Sequence, residues 1–262
     1  MLEGDTVLYL NWEDLRRAID YDLEQERAYS YNGKSQEEMI THLTKFVSGL
    51  WQIHAFGEGN TRTTAVFTIQ YLSSLGFNVD NDLFAKHSWY FRNALVRANY
   101  RNVAKGIEYT PIYLERFFRN LLLGEQWDLR NRYLHIHPTD EWRVQPNLAD
   151  RTSTHISTVQ LPHKYRTSLS VINSNPGSKF YTNNEDIIEL VRVIAYEELS
   201  IKQMMYIKKL KHRQSFLNTH LEPAMKEKFV RRKYPDRPNH PQQRYLLTVK
   251  GLALYNELTK EK

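Results

Sequence analysis

Apolar residues recur at helical spacing along most of this chain. Between Glu37 and Ile53 they fall at Met39, Ile40, Leu43, Phe46, Val47 and Leu50, which predicts one amphipathic helix. Ser35, followed three residues later by Glu38, supplies a capping box for its start. A second helix is expected from Thr63 to Leu75, with Val66, Phe67, Ile69, Tyr71 and Leu72 apolar and Gly76 placed as a stop. Ahead of both, Trp12 to Leu23 reads as a helix, and Asp5 to Asn11 is rich in β-formers. Towards the other end the pattern shortens. Asp186–Glu197, Ile201–Leu210 and Gln214–Lys228 read as helices, Phe229–Tyr234 and Arg244–Thr248 as two strands around a Pro-rich turn, and Lys250–Leu258 as a closing helix. Helix, turn, helix, hairpin is a winged-helix order.

Between these regions, residues 129–184 are irregular and rich in Pro, Asn, Ser and Thr, including Pro138, Pro146, Pro162 and Asn175-Pro176-Gly177. That composition predicts a long connector with short structured pieces. His135-Ile136-His137 within it puts two imidazoles on one face of any strand formed there. Without a further ligand at a set spacing a surface strand is the better reading.

Charge separates the two ends. Residues 200–262 carry 15 Lys/Arg against 5 Asp/Glu, a net of +10, while the whole chain has 36 against 30, leaving −4 on the rest. The asymmetry marks a second domain with different partners. There is no cysteine, which excludes disulfides and thiolate chemistry and fits a reducing, cytoplasmic setting. No apolar run approaches a membrane span, and no signal peptide is visible.

The chemistry concentrates between the first two strong helices, in His54-Ala55-Phe56-Gly57-Glu58-Gly59-Asn60-Thr61-Arg62. A tight loop here feeds a helix N-terminus, where free N–H groups and the positive end of the macrodipole make an anion site. Gly57 and Gly59 are expected to let the backbone turn sharply and approach phosphate closely. His54 accepts a proton near neutral pH, and Glu58 is a hard oxygen ligand suited to Mg²⁺ carried by a polyphosphate. Asn60 and Arg62 suit phosphate oxygens, the guanidinium more strongly. No Lys follows the glycines, so this is not a Walker loop.

The segment resembles the signature of the Fic (Fido) family, His-x-Phe-x-(Asp/Glu)-Gly-Asn-x-Arg, at every fixed position. The resemblance implies transfer of AMP from ATP to a Ser, Thr or Tyr hydroxyl of a target protein, the chain itself included. It implies that His54 is the base and that Glu58 holds Mg²⁺ between the α- and β-phosphates. Phe56, Asn60 and the backbone from Gly57, Glu58 and Gly59 to Thr61 would form the nucleotide site, with Arg62 on the leaving diphosphate and Asn99 near the nucleoside. It further implies a mainly α fold: a helical Fic domain over residues 1–125 with a short N-terminal β flap that pins the target, a connector over 126–185, and a winged-helix domain over 186–262.

Three positions depart from the common pattern: Ala55 for Pro, Thr61 for Gly or Lys, and Ala65 for a second Arg three residues after the first. The last removes a cation near the terminal phosphate, which bears on the choice of nucleotide. An inhibitory (Ser/Thr)-x-x-x-Glu-(Gly/Asn) motif is not present in this sequence, and the opening at Met1-Leu2-Glu3-Gly4 suggests that an upstream segment is missing. For the basic end, duplex DNA is the candidate partner, with Arg213, Gln214, Ser215 and Asn218 towards the groove and Arg237 on the wing. The alternative for the whole chain is a DNA-binding regulator whose Fic fold senses nucleotide. The two domains are expected to be separable, with a piece ending near Asn184 keeping the nucleotide chemistry.

Overall fold

The computed structural model describes residues 6–136 and 178–260. The fold is mainly helical, as expected. A 3₁₀ turn, Trp12–Asp14, leads into α1, Leu15–Ala28. Then follow α2 (Gln36–Ile53), α3 (Asn60–Ser74), α4 (Asp82–Lys86), α5 (Ser88–Asn99) and α6 (Ile112–Leu123). The expected capping box starts α2: the Glu38 N–H donates to Ser35 Oγ at 3.1 Å and the Ser35 N–H to Glu38 Oε2 at 2.8 Å. The apolar face of α2 buries Ile40, Leu43 and Val47 in a core to which α5 and α6 also contribute. Phe84, Phe91 and Phe117 pack as a ring cluster with centroids 4.9–5.0 Å apart, deep in the same core.

A buried carboxylate ties the first three helices together. Glu26 of α1 accepts from Tyr31 Oη at 2.7 Å, from Tyr71 Oη of α3, and pairs with His42 Nε2 of α2 at 2.6 Å. Burial alone would raise this carboxyl group. The hydrogen bonds from His42, Tyr71 and Tyr31 outweigh it and hold the pKa below the ordinary value.

The C-terminal part keeps the expected order of helix, turn, helix and hairpin. Asn184 caps α7 (Glu185–Ile194), and a Ser200–Gln203 capping box starts α8 (Ile201–Ile207). The next helix is expected as one piece but is built in three: α9 (Arg213–Phe216), a π turn (Leu217–Leu221) and α10 (Glu222–Lys226). Pro223 explains the wide turn. It has no N–H for the carbonyl four residues back, and its ring crowds that carbonyl. Strands β1 (Val230–Arg232) and β2 (Tyr245–Leu247) pair antiparallel, and a bridge from Leu199 to Tyr245 joins the helices to the hairpin. Helix α11 (Val249–Lys260) closes the chain.

Two expectations need correction. The N-terminal β flap is absent among the described residues: Thr6 to Asn11 forms no strand. Among the described residues it pairs with no strand, and Val7 and Tyr9 pack instead on the helical body, Val7 only 2% exposed. His135 and Ile136 are likewise not in a strand, while His137 and the cited prolines lie outside the described residues. The two parts share contacts. Ala253 of α11 is fully buried in the first core, whereas Leu254 and Leu258 belong to the second. Lys250 N donates to Leu75 O at 3.1 Å, and Asn256 Nδ2 to Lys34 O at 2.8 Å. Phe180, at the far end of the connector, is buried against Phe77, and Lys179 N donates to Leu122 O at 2.8 Å. These tertiary contacts are invisible to charge and composition.

Candidate active site

Helix α2 ends at His54, which takes a left-handed conformation at φ 57°. That stops the helix and turns the chain into the loop; His is among the residues enriched in this region. The loop closes at Gly59, φ 79°, and α3 begins at once with Asn60. Sequence spacing placed that helix start three residues later, so Asn60, Thr61 and Arg62 belong to the first helical turn. Of the two glycines, only Gly59 uses a left-handed backbone. Gly57 does not, and a Cβ there would meet nothing within 4 Å.

Two contacts brace the loop. The Asn60 carboxamide accepts from the Phe56 N–H at 3.0 Å and donates to the Phe56 carbonyl. Asn60 is buried, so its side chain shapes the loop, and what remains for a ligand is its backbone N–H. Trp51 Nε1 donates to Thr61 Oγ1 at 3.1 Å. The hydroxyl at position 61, one of the departures noted above, therefore links the end of α2 to the start of α3. No side chain caps α3, so its first-turn donors meet no side-chain acceptor.

These elements line a cleft of about 400 Å³ with Tyr9, Trp51, His54, Glu58, Arg62 and Arg92 around it. Glu58 and Arg62 are exposed and close in sequence, yet neither forms an ion pair among the described residues. The Tyr9 ring stacks on His54 with centroids 3.9 Å apart, and Trp51 meets His54 edge-on at 6.4 Å. Burial raises the Tyr9 phenol above its ordinary pKa, partly offset by the charge of Arg92.

The expected residues are thus brought together, with two exceptions. Phe56 is 52% exposed and does not line the cleft. Asn99 lines a neighbouring groove with Leu8, Ser48 and Gln52, and its amide donates to Ser48 O at 3.1 Å and Leu95 O at 2.9 Å. Tyr9, Trp51, Ser88, Trp89 and Arg92 join the site without having been singled out. A signal for two of them existed: Trp89 and Arg92 stand three apart on α5, on the side away from its buried Tyr90 and Phe91.

Comparison with known families matches two stretches of the chain. Residues 10–72 match the Fic/DOC family, which includes the whole loop, and residues 185–248 match the "Filamentation induced by cAMP protein Fic-like, C-terminal domain". The chain belongs to the Fic (Fido) family. Among solved structures it is similar to a Fic family protein from Desulfovibrio desulfuricans G20, at 21% identity and a TM-score of 0.27. That alignment covers 92% of this chain and spans 57% of the other. No curated protein matches. In this Fic chain no described helix is long and apolar enough to cross a membrane.

Proposed function

We propose that this Fic chain transfers AMP from Mg–ATP to a Ser, Thr or Tyr hydroxyl of a protein target, itself included. The observation that carries the reading is the uncapped N-terminus of α3, with unpaired Glu58 and Arg62 and the imidazole of His54 on one cleft. The acceptor hydroxyl gives its proton to His54 as its oxygen bonds to the α-phosphorus. The bond from that phosphorus to the bridging oxygen breaks, and diphosphate leaves on the side of Arg62. The first N–H groups of α3 and the Arg62 guanidinium neutralise charge on the phosphate oxygens, so positioning and electrostatics supply most of the rate. A lone exposed carboxylate suits Mg²⁺ that arrives already bound to a polyphosphate, and Glu58 is that residue. The ion would supply further charge neutralisation between the phosphates.

The test is incubation with α-labelled ATP and Mg²⁺, with and without an acceptor protein. Label on protein that depends on His54 supports the reading; none under any condition sinks it. Calorimetry should show that Glu58→Ala loses Mg²⁺-dependent ATP binding and that Arg62→Ala weakens it roughly tenfold or more, the usual worth of a charge-assisted contact. Unchanged affinity in both variants would remove them from the clamp.

A second reading concerns the C-terminal part, which we take as a winged helix. Arg213, Gln214, Ser215, Asn218 and Arg237 are all exposed there, in a stretch of net +10. On this reading α9 meets the major groove of duplex DNA and Arg237 the backbone beside it. Fluorescence anisotropy should then show binding that weakens steeply with salt and falls in Arg213→Ala and Arg237→Ala. Binding indifferent to salt and to both changes would dispose of it.

A further inference from the structure

Helix α5 brings Trp89 and Arg92 to the cleft that the loop also lines. Arg92 is exposed, and no carboxylate among the described residues pairs with it; its guanidinium lies 5.7 Å from the Trp89 ring centroid. A surface arginine is ordinary by itself. This one helps line a cleft that already holds an uncapped helix N-terminus and a second unpaired arginine. Its charge reaches Tyr9, which stacks on His54, so it lies on the catalytic side. Meanwhile Ala65, three residues after Arg62, packs its methyl against the core and offers no cation.

We infer that Arg92 is the second polyphosphate-binding cation of this cleft, reaching the nucleotide from α5 in place of a cation on α3. The inference rests on the nucleotide reading given above. A guanidinium spans two phosphate oxygens where a lysine offers a point charge, so the contact is specific to arginine as well as to charge. Trp89 beneath it restricts the side chain, which lowers the entropy lost when phosphate is bound. The site would therefore bind nucleoside triphosphate through two arginines on different helices, Arg62 on α3 and Arg92 on α5.

Calorimetric titration separates the possibilities, using wild type, Arg92→Ala and Arg92→Lys with Mg–ATP and with Mg–tripolyphosphate. Expected is a loss of roughly ten- to a hundredfold for both ligands in Arg92→Ala, the range of a charge-assisted contact, with partial recovery in Arg92→Lys. A loss for ATP alone would assign Arg92 to the nucleoside and overturn the inference. So would unchanged affinity for both. If wild type bound neither Mg–ATP nor Mg–tripolyphosphate, the nucleotide reading itself would fall and take Arg92 with it. Thermal melting of each variant checks the fold, which an exposed side chain on α5 should leave unchanged.

Discussion

Replacing His54 should abolish transfer of label from α-labelled ATP while leaving nucleotide binding in place. The expected loss is on the order of 10²–10⁴ in rate, the usual worth of a general base. Two substitutions are needed, because His54 does more than titrate. Its backbone sits at φ 57°, where the chain leaves α2. Alanine there costs about 1–2 kcal/mol of backbone strain, whereas asparagine visits this region readily. His54→Asn should therefore match wild type in melting temperature and Mg–ATP affinity yet fail in transfer. If His54→Asn transferred label at a rate near wild type, the imidazole would not be the base. If His54→Asn lost ATP binding as well, the side chain would be holding the loop rather than the proton.

The loop shows what a sequence can reveal and where it stops. The residue types were legible because each has intrinsic chemistry: an imidazole, a carboxylate, two glycines and a guanidinium within nine positions. The capping box of α2 was legible for the same reason, since Ser35 and Glu38 act over one turn. What Asn60 does was not legible. An amide beside an anion site suggests a phosphate ligand, but its carboxamide is engaged by the Phe56 backbone. Arg92 and Tyr9 escaped because they reach the cleft from α5 and from the N-terminal segment, at sequence distances no local pattern spans. The start of α3 was misplaced because Asn60, Thr61 and Arg62 are polar and carry no apolar periodicity, while helix geometry tolerates them at an exposed first turn. The flap was overestimated because β-forming side chains also serve to pack an extended segment on helices, as Val7 does.

Two glycines have large expected effects: Gly76, where the first part meets the second, and Gly251, inside the C-terminal part. Gly76 follows α3 at φ 103°, and a Cβ there would lie 2.6 Å from Thr248 Oγ1 and 2.7 Å from Lys228 O. Gly251 in α11 meets Phe229 O so closely that a Cβ would lie 2.2 Å from it. Both neighbours include backbone, which cannot step aside like the end of a flexible side chain. Around them, Thr248 Oγ1 donates to Lys228 O at 2.6 Å, and Lys250 Nζ donates to Glu227 O at 2.8 Å while lying 3.9 Å from the Phe229 ring centroid. Burial pushes the Lys250 ammonium down to about 8, so this joint already carries a poorly solvated group. Gly76→Ala and Gly251→Ala should each destabilise the protein by about 1–3 kcal/mol for overpacking, with further strain at Gly76 from its positive φ. Because α11 sits in both cores, the loss should lower one shared thermal transition, seen alike by helical circular dichroism and by protection of amides in α2 and in α7. A chain ending near Asn184 removes α11 altogether and takes Ala253, Val249 and Leu252 out of the first core. It should therefore lose its cooperative melt together with its nucleotide binding. Two separate transitions in Gly76→Ala, or a stable and active piece ending near Asn184, would show that α11 is a passive clasp and that the two parts fold on their own.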